Sequence, residues 1–275
     1  MQDIHLATAV ALYKAPMRHR PASYEPVMPT PYTLSTALLE LLTDFNSTHL
    51  MVQFPFAHYH YSLSILHLIL IYHKKCRIRL KSWRPLFNSL ASLINFLTQT
   101  APKVQPASGV FRLVARVLLV LNFFITYGDT FLPDAAAYDS LYYEISRQDS
   151  IFLKLATLIE EAKSNPIFEG SDEYLTKVSN QLLNILSIIE HVRPKLEVLA
   201  RSYPTEEQVI AIVQECFNGL TLKLYDGLEV VEHFEEPDDE AALTTLTEKI
   251  TLQNGPHWAE LLDYRAIAED LSAIE

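Results

Sequence analysis

Residues 109–145 read GVFRLVARVLLVLNFFITYGDTFLPDAAAYDSLYYEI, an apolar run that stops and an aromatic, acidic run that begins. Val110, Val114, Val117, Leu118, Leu121, Phe124 and Ile125 recur at helical spacing, and they cover enough of the helix to demand burial on more than one side. Gly128 is expected to end this helix in the left-handed region just past its last turn, and Pro133 forbids continuation. Asp134 or Asp139 can then cap a second helix carrying Leu141, Ile145, Phe152, Leu155 and Ile159. Tyr127, Gly128, Asp129, Pro133, Tyr138, Asp139, Tyr142 and Tyr143 therefore read as a structural corner between two packed helices.

Residues 110–127 approach the length of a membrane span, so an integral protein with one spanning helix is the competing reading. Arg112 and Arg116 oppose it, because each costs about 2.5 to 3.5 kcal/mol near the centre of a membrane helix. If both snorkel to an interface, only 117–127 remain, well short of the roughly 20 residues a span needs. The expectation is a helix buried in protein.

A chain of 275 residues with 49% hydrophobic content is long enough for one sizeable core or two small ones. Only six glycines argue against a turn-rich sandwich or barrel. Cys76 and Cys216 lie far apart in ordinary helical patterns, which reads as a reduced cytosolic setting without a structural disulfide. No secretory signal is evident at the N-terminus. The net charge of −11 conceals a division: residues 1–130 hold 12 Lys+Arg against 5 Asp+Glu, and the remainder holds 10 against 28. Such asymmetry fits a basic face for an anionic partner and an acidic face for a basic one, or the two ends packed on each other.

Residues 1–32 carry Pro16, Pro21, Pro26, Pro29 and Pro31 and read as a proline-rich lead-in, leaving 33–275 as the folded domain. Thr33 or Ser35 can cap a helix through Phe45 that buries Leu38, Leu39, Leu41 and Leu42. Residues 59–72, YHYSLSILHLILIY, are apolar enough for a central buried helix and too short to cross a bilayer. His60 and His67 can share a face of it, but with no Cys or carboxylate nearby they read as core or rim histidines, not metal ligands. Trp83, Leu86, Phe87, Leu90, Leu93, Ile94 and Leu97 mark the next amphipathic helix. Further on, Leu175, Val178, Leu182, Ile185, Ile189, Val192 and Leu196 keep one seam, with Pro194 expected to kink the helix or end its bonding early. Thr205 to Gln208 forms a capping-box pattern ahead of Val209, Ile212, Val213, Cys216 and Phe217. Residues 220–234, 241–252 and 258–274 read as further helices, with the acidic run EEPDDE at 235–240 a solvated loop.

The strongest local charge feature is KKCRIRLKSWR, which packs Lys74, Lys75, Arg77, Arg79, Lys81 and Arg84 into 11 residues. It is a candidate contact for anionic lipid headgroups, each basic residue being worth about 1 kcal/mol there, or for an acidic protein surface. The alternative is a solvated helix junction paired with the acidic half. Nucleic acid is not expected, since no recognised binding fold accompanies the patch and the rest of the chain repels phosphate. Nor is an enzyme, since no G-x-S-x-G, H-E-x-x-H, P-loop or paired-cysteine zinc pattern occurs. No catalytic, cofactor-binding or metal residues are assigned.

These patterns predict an all-α protein of about nine or ten helices, either an irregular bundle or the end of an armadillo/HEAT-like α-solenoid; no clean repeat period is visible. The words YSLSILHLILIYHKKCRIRLKSWRPLFNSLASLINFL from Tyr61, FITYGDTFLPDAAAYDSLYYEI from Phe124 and LTLKLYDGLEVVE from Leu220 resemble the C-terminal region of the armadillo-like helical domain-containing protein 3 family. The resemblance covers roughly residue 33 to the end, in the same order. It implies a non-enzymatic scaffold of the cytosol and Golgi membrane that takes no cofactor. It further implies binding of phosphatidylinositol 4-kinase III beta and recruitment of an Arf guanine-nucleotide exchange factor, in support of Golgi maintenance and secretion.

Overall fold

The computed structural model describes residues 34–48, 50, 55–104, 106–200, 205–217 and 219–231. All regular structure among them is helical. In chain order the helices are α1 Leu34–Thr48, α2 Phe56–Cys76, α3 Trp83–Thr100, α4 Ser108–Phe131, α5 Ala135–Arg147, α6 Asp149–Ala162, α7 Asp172–Ala200 and α8 Glu206–Phe217. Short 3-10 turns stand at Ala101–Lys103 and Pro166–Phe168. The chain divides into two compact units, Leu39–Val231 and Met1–Leu38 with Glu232–Glu275. Of the second, only the opening turns of α1 fall among the described residues.

Eight helices, against the nine or ten expected, reflect one misreading, two expected helices, 241–252 and 258–274, outside the described residues, and a division at Gln148 of the one helix expected to carry Leu141 through Ile159 into α5 and α6. The misreading is 220–234: residues 220–231 run as irregular chain with a turn at 226–229. Polar side chains far away in sequence hold them so. Asn184 donates to the Lys223 carbonyl at 2.9 Å and accepts the Lys223 amide at 2.8 Å, replacing the backbone bonds that a helix would have made. Tyr225 Oη donates to the Asn180 carbonyl, and the Leu228 carbonyl sits 2.7 Å from His67 Nε2.

Helix α4 is the axis of the Leu39–Val231 unit, packing against α2, α3, α5 and α7. Val110, Val117, Leu121 and Phe124 are all buried, as the wide apolar arc requires. It is long and apolar enough to cross a membrane by length and composition, yet 78% of its most apolar window is buried within the protein. Arg112 is exposed, whereas Arg116 is buried and donates to Ser64 Oγ at 3.1 Å. The α7 seam lies as read, with Leu175 through Val192 buried, and the helix continues past Pro194 to Ala200. At α8 the capping box forms: Thr205 N–H donates to Gln208 Oε1 at 3.0 Å, and Gln208 N–H to Thr205 Oγ1 at 3.4 Å.

Two expectations need correction. Gly128 does not end α4: the helix runs three residues further to Phe131, and Gly128 is helical, not left-handed. The stop is made by Leu132, which turns extended ahead of Pro133. Asp134, and not Asp139, caps α5, accepting from Ala137 N–H at 2.7 Å. Second, α2 is not buried all round. Tyr59, Leu63, Leu66 and Leu70 are in the core, but Tyr61, Ile65, Leu68 and Tyr72 are 38%, 43%, 50% and 52% exposed.

Candidate interaction surface

The basic stretch is the turn joining α2 to α3, and it is built onto the end of α4. Leu80 N–H donates to the Phe131 carbonyl at 2.7 Å, with Leu80 and Trp83 buried beneath. Arg79 Nη1 donates to the carbonyls of Asp129 and Leu132 at 2.7 and 2.8 Å. A helix leaves its last carbonyls without internal donors and concentrates negative potential there, so a guanidinium is a natural cap. The basic turn and the aromatic corner, read separately in the sequence, are therefore one assembly.

This divides the six basic residues. Lys74 pairs with Glu229 and lies 3.7 Å from the centre of the Tyr127 ring, so it pins residues 220–231. Arg79 is the cap. Lys75, Arg77, Lys81 and Arg84 are exposed, and Arg84 stacks near Trp83 at 5.7 Å. Arg77 ends α2 with φ +52°, the only non-glycine at positive φ among the described residues, and Ile78 N–H reaches back to the His73 carbonyl at 2.9 Å. Glycine is the usual residue here, and a left-handed side chain costs about 1 kcal/mol or more. The strained position thus holds an exposed cation at the tip of the turn. We expect Arg79→Met to lower stability by about 1–2 kcal/mol in a denaturant melt, two charge-assisted bonds being lost from a partly exposed site; an unchanged melt would refute the cap.

The corner residues bond to one another and to α8. Tyr138 Oη donates to the Ile125 carbonyl at 2.7 Å and lies 3.0 Å from Tyr142 Oη. The Tyr142 ring meets Phe217 of α8 edge-on at 4.7 Å, and burial pushes both phenols above their ordinary pKa range. Gln214 donates to the buried Asp139 carboxylate at 2.6 Å, a second tie from α8 to α5. Tyr143 packs half-buried against the core, Asp129 is exposed, and Pro133 is half-buried. Gly128 has its role here too: a Cβ on it would stand 3.0 Å from Tyr138 Cδ2 and 3.1 Å from Tyr138 Cε2 and Leu132 Cδ1.

Sequence reasoning missed a buried polar set between α2, α4 and α7. Asn122 Nδ2 donates to the carbonyls of Leu118 at 2.9 Å and Gln181 at 2.7 Å, and Asn184 donates to Asn122 Oδ1 at 3.3 Å. His67 is fully buried, with its ring edge-on to Phe123. A polar residue on the apolar face of a core helix, such as Asn122 within VLLVLNFF, is the signal that could have located it. Among the described residues no group of three or more His, Cys, Asp or Glu side chains is placed to hold a metal, and Cys76 and Cys216 are both free.

The core is thus all-helical among the described residues and organised around one enclosed helix, α4. Residues 32–254 match the family described as armadillo-like helical domain-containing protein 3, C-terminal, and the chain belongs to that family. It is 39% identical over 248 residues to the Xenopus laevis armadillo-like helical domain-containing protein 3, 38% over 248 to the Homo sapiens protein and 37% over 247 to the Danio rerio protein. Each alignment covers 88% of this chain, which spans 35% of the length of each relative. No solved structure matches the chain.

Proposed function

We propose that the chain is a non-enzymatic helical scaffold of the cytosol and Golgi membrane. In this reading it binds phosphatidylinositol 4-kinase III beta and recruits an Arf guanine-nucleotide exchange factor, in support of Golgi maintenance and secretion. The observation that carries it is membership of the armadillo-like helical family across residues 32–254. The braced turn adds a physical means of contact, because Lys75, Arg77, Lys81 and Arg84 project from a fixed backbone toward an acidic protein surface or anionic headgroups. Membrane contact in this reading is peripheral, supported by the enclosure of α4 among four other helices. The test is capture of purified phosphatidylinositol 4-kinase III beta by the immobilised 275-residue chain, with alkaline carbonate extraction of cell membranes alongside. Salt-sensitive capture and release of the chain into the carbonate supernatant are expected. No capture would overturn the partner, and retention in the carbonate pellet would favour a spanning α4.

A further inference from the structure

Helix α2 buries one face against α4 and leaves a second apolar face partly exposed. Tyr61, Ile65, Leu68 and Tyr72 are spaced by four, three and four residues, and His58 and Lys75, both exposed, extend the same alternation to either end. At about 100° per residue the four apolar side chains fall within roughly 60° of one another, one narrow ridge along the helix. Buried Ser62 stands on one side of the ridge, and Ser64 and Ile71 on the other. The spacing is that of the a and d positions by which two helices interlock. The narrowness disfavours a lipid surface, since an interfacial helix sinks a broad apolar face between polar flanks and here packed protein occupies both flanks.

Charge says what lies along the ridge. α2 contains no Asp or Glu in its 21 residues, and its C-terminal end carries Lys75 and the strained, exposed Arg77. Neither side chain makes an ion pair among the described residues. A helix laid antiparallel on α2 would bring its N-terminal turn to those two cations, and the first turn is where carboxylates also stabilise their own helix. A parallel helix would bring its electronegative C-terminal end there, where carboxylates are unfavourable to it.

We propose that the α2 ridge is a docking face for one amphipathic helix of a partner protein, laid antiparallel, with apolar side chains against Tyr61, Ile65, Leu68 and Tyr72 and a first turn rich in Asp and Glu against Lys75 and Arg77. The proposal rests on the scaffold reading and assigns a surface to it.

The test is fluorescence anisotropy on the whole 275-residue chain with three labelled 18-residue peptides sharing one Leu/Ile a/d seam. They carry Glu in the first turn, Glu in the last turn, or Lys in the first turn. The first is expected to bind at least tenfold tighter than the others. Leu68→Asp should cost it tenfold or more without changing the thermal melt, and Ile65→Gln serves if that melt shifts. Lys75→Glu with Arg77→Glu should reverse the preference between the Glu-first and Lys-first peptides. Equal binding of the three peptides, no binding, or binding indifferent to Leu68→Asp and Ile65→Gln would overturn the proposal. So would Leu68-dependent binding confined to phosphatidylserine vesicles, which means a membrane face, or conversion of a dimer to a monomer by Leu68→Asp, which means a second copy. Kinase capture retained by Leu68→Asp while no peptide binds would remove the ridge and leave the scaffold reading standing. Loss of capture by the unmodified chain bears on the scaffold reading alone.

Discussion

Lowering the pH from 7 to 4 is expected to remove about 3 kcal/mol of folding stability through His67 alone. Its Nε2–H donates to the Leu228 carbonyl at 2.7 Å, which leaves Nδ1 as the site for an added proton, and Nδ1 is buried without a partner. Burial is the main reason its pKa is lowered to about 4, followed by the nearby Arg116 charge; the Leu228 bond and Glu229 act in the opposite direction. Since the folded pKa lies below the ordinary histidine value of about 6.5, the unfolded chain binds the proton first. The contribution of neutral His67 is intact above about pH 6.5 and is lost as pH falls toward 4. His73, whose pKa burial also lowers, adds loss in the same direction. Denaturant melts across this range should show a shallower pH dependence for His67→Gln, whose amide can still donate to Leu228 but does not titrate. Parallel pH profiles for the two proteins would refute the assignment. Because the Leu228 carbonyl belongs to residues 220–231, amide hydrogen exchange there should speed up first on acidification.

The same residues explain where sequence reasoning stopped. Several local interactions were legible, Thr205 and Gln208 three apart and the repeated Leu and Ile of α7 among them, while Asp134 was one of two caps offered and the stop ahead of Pro133 was placed too early, at Gly128. The deciding interaction was not legible where the partner came from another part of the chain. Residues 220–231 contain enough Leu and Val to be taken as helix, and only Asn184, Asn180 and His67, between 39 and 161 residues away, hold the segment otherwise. Likewise Arg79 looked like one more cation of a surface cluster until it met carbonyls 50 and 53 residues ahead. Hydropathy alone could not separate the two apolar faces of α2, because Leu68 and Leu66 differ only in which way the helix turns them.

Gly128→Val is expected to destabilise the protein by about 2–3 kcal/mol, and the reason is crowding within a helix. Val adds a Cβ at 3.0 Å from Tyr138 Cδ2 and 3.1 Å from Leu132 Cδ1, and then two methyl groups beyond it. Tyr138 cannot swing aside cheaply, since its hydroxyl is bonded to the Ile125 carbonyl and lies within reach of Tyr142, whose ring is seated on Phe217. Displacement would therefore loosen α5 and α8 together. Gly128→Ala brings the same Cβ and no more, and gains about 1 kcal/mol of helix propensity over glycine, so it should come close to neutral. A left-handed Gly128 would behave differently: Ala would already be strained, and Tyr138 would have no part in the cost. Combining Gly128→Val with Tyr138→Ala separates the two accounts by denaturant unfolding of the four proteins of the cycle. Crowding predicts that the double variant is more stable than the sum of the single losses by 1 kcal/mol or more, a coupling typical of residues in contact. Additive losses, with Ala as costly as Val, would return Gly128 to the role of a helix stop.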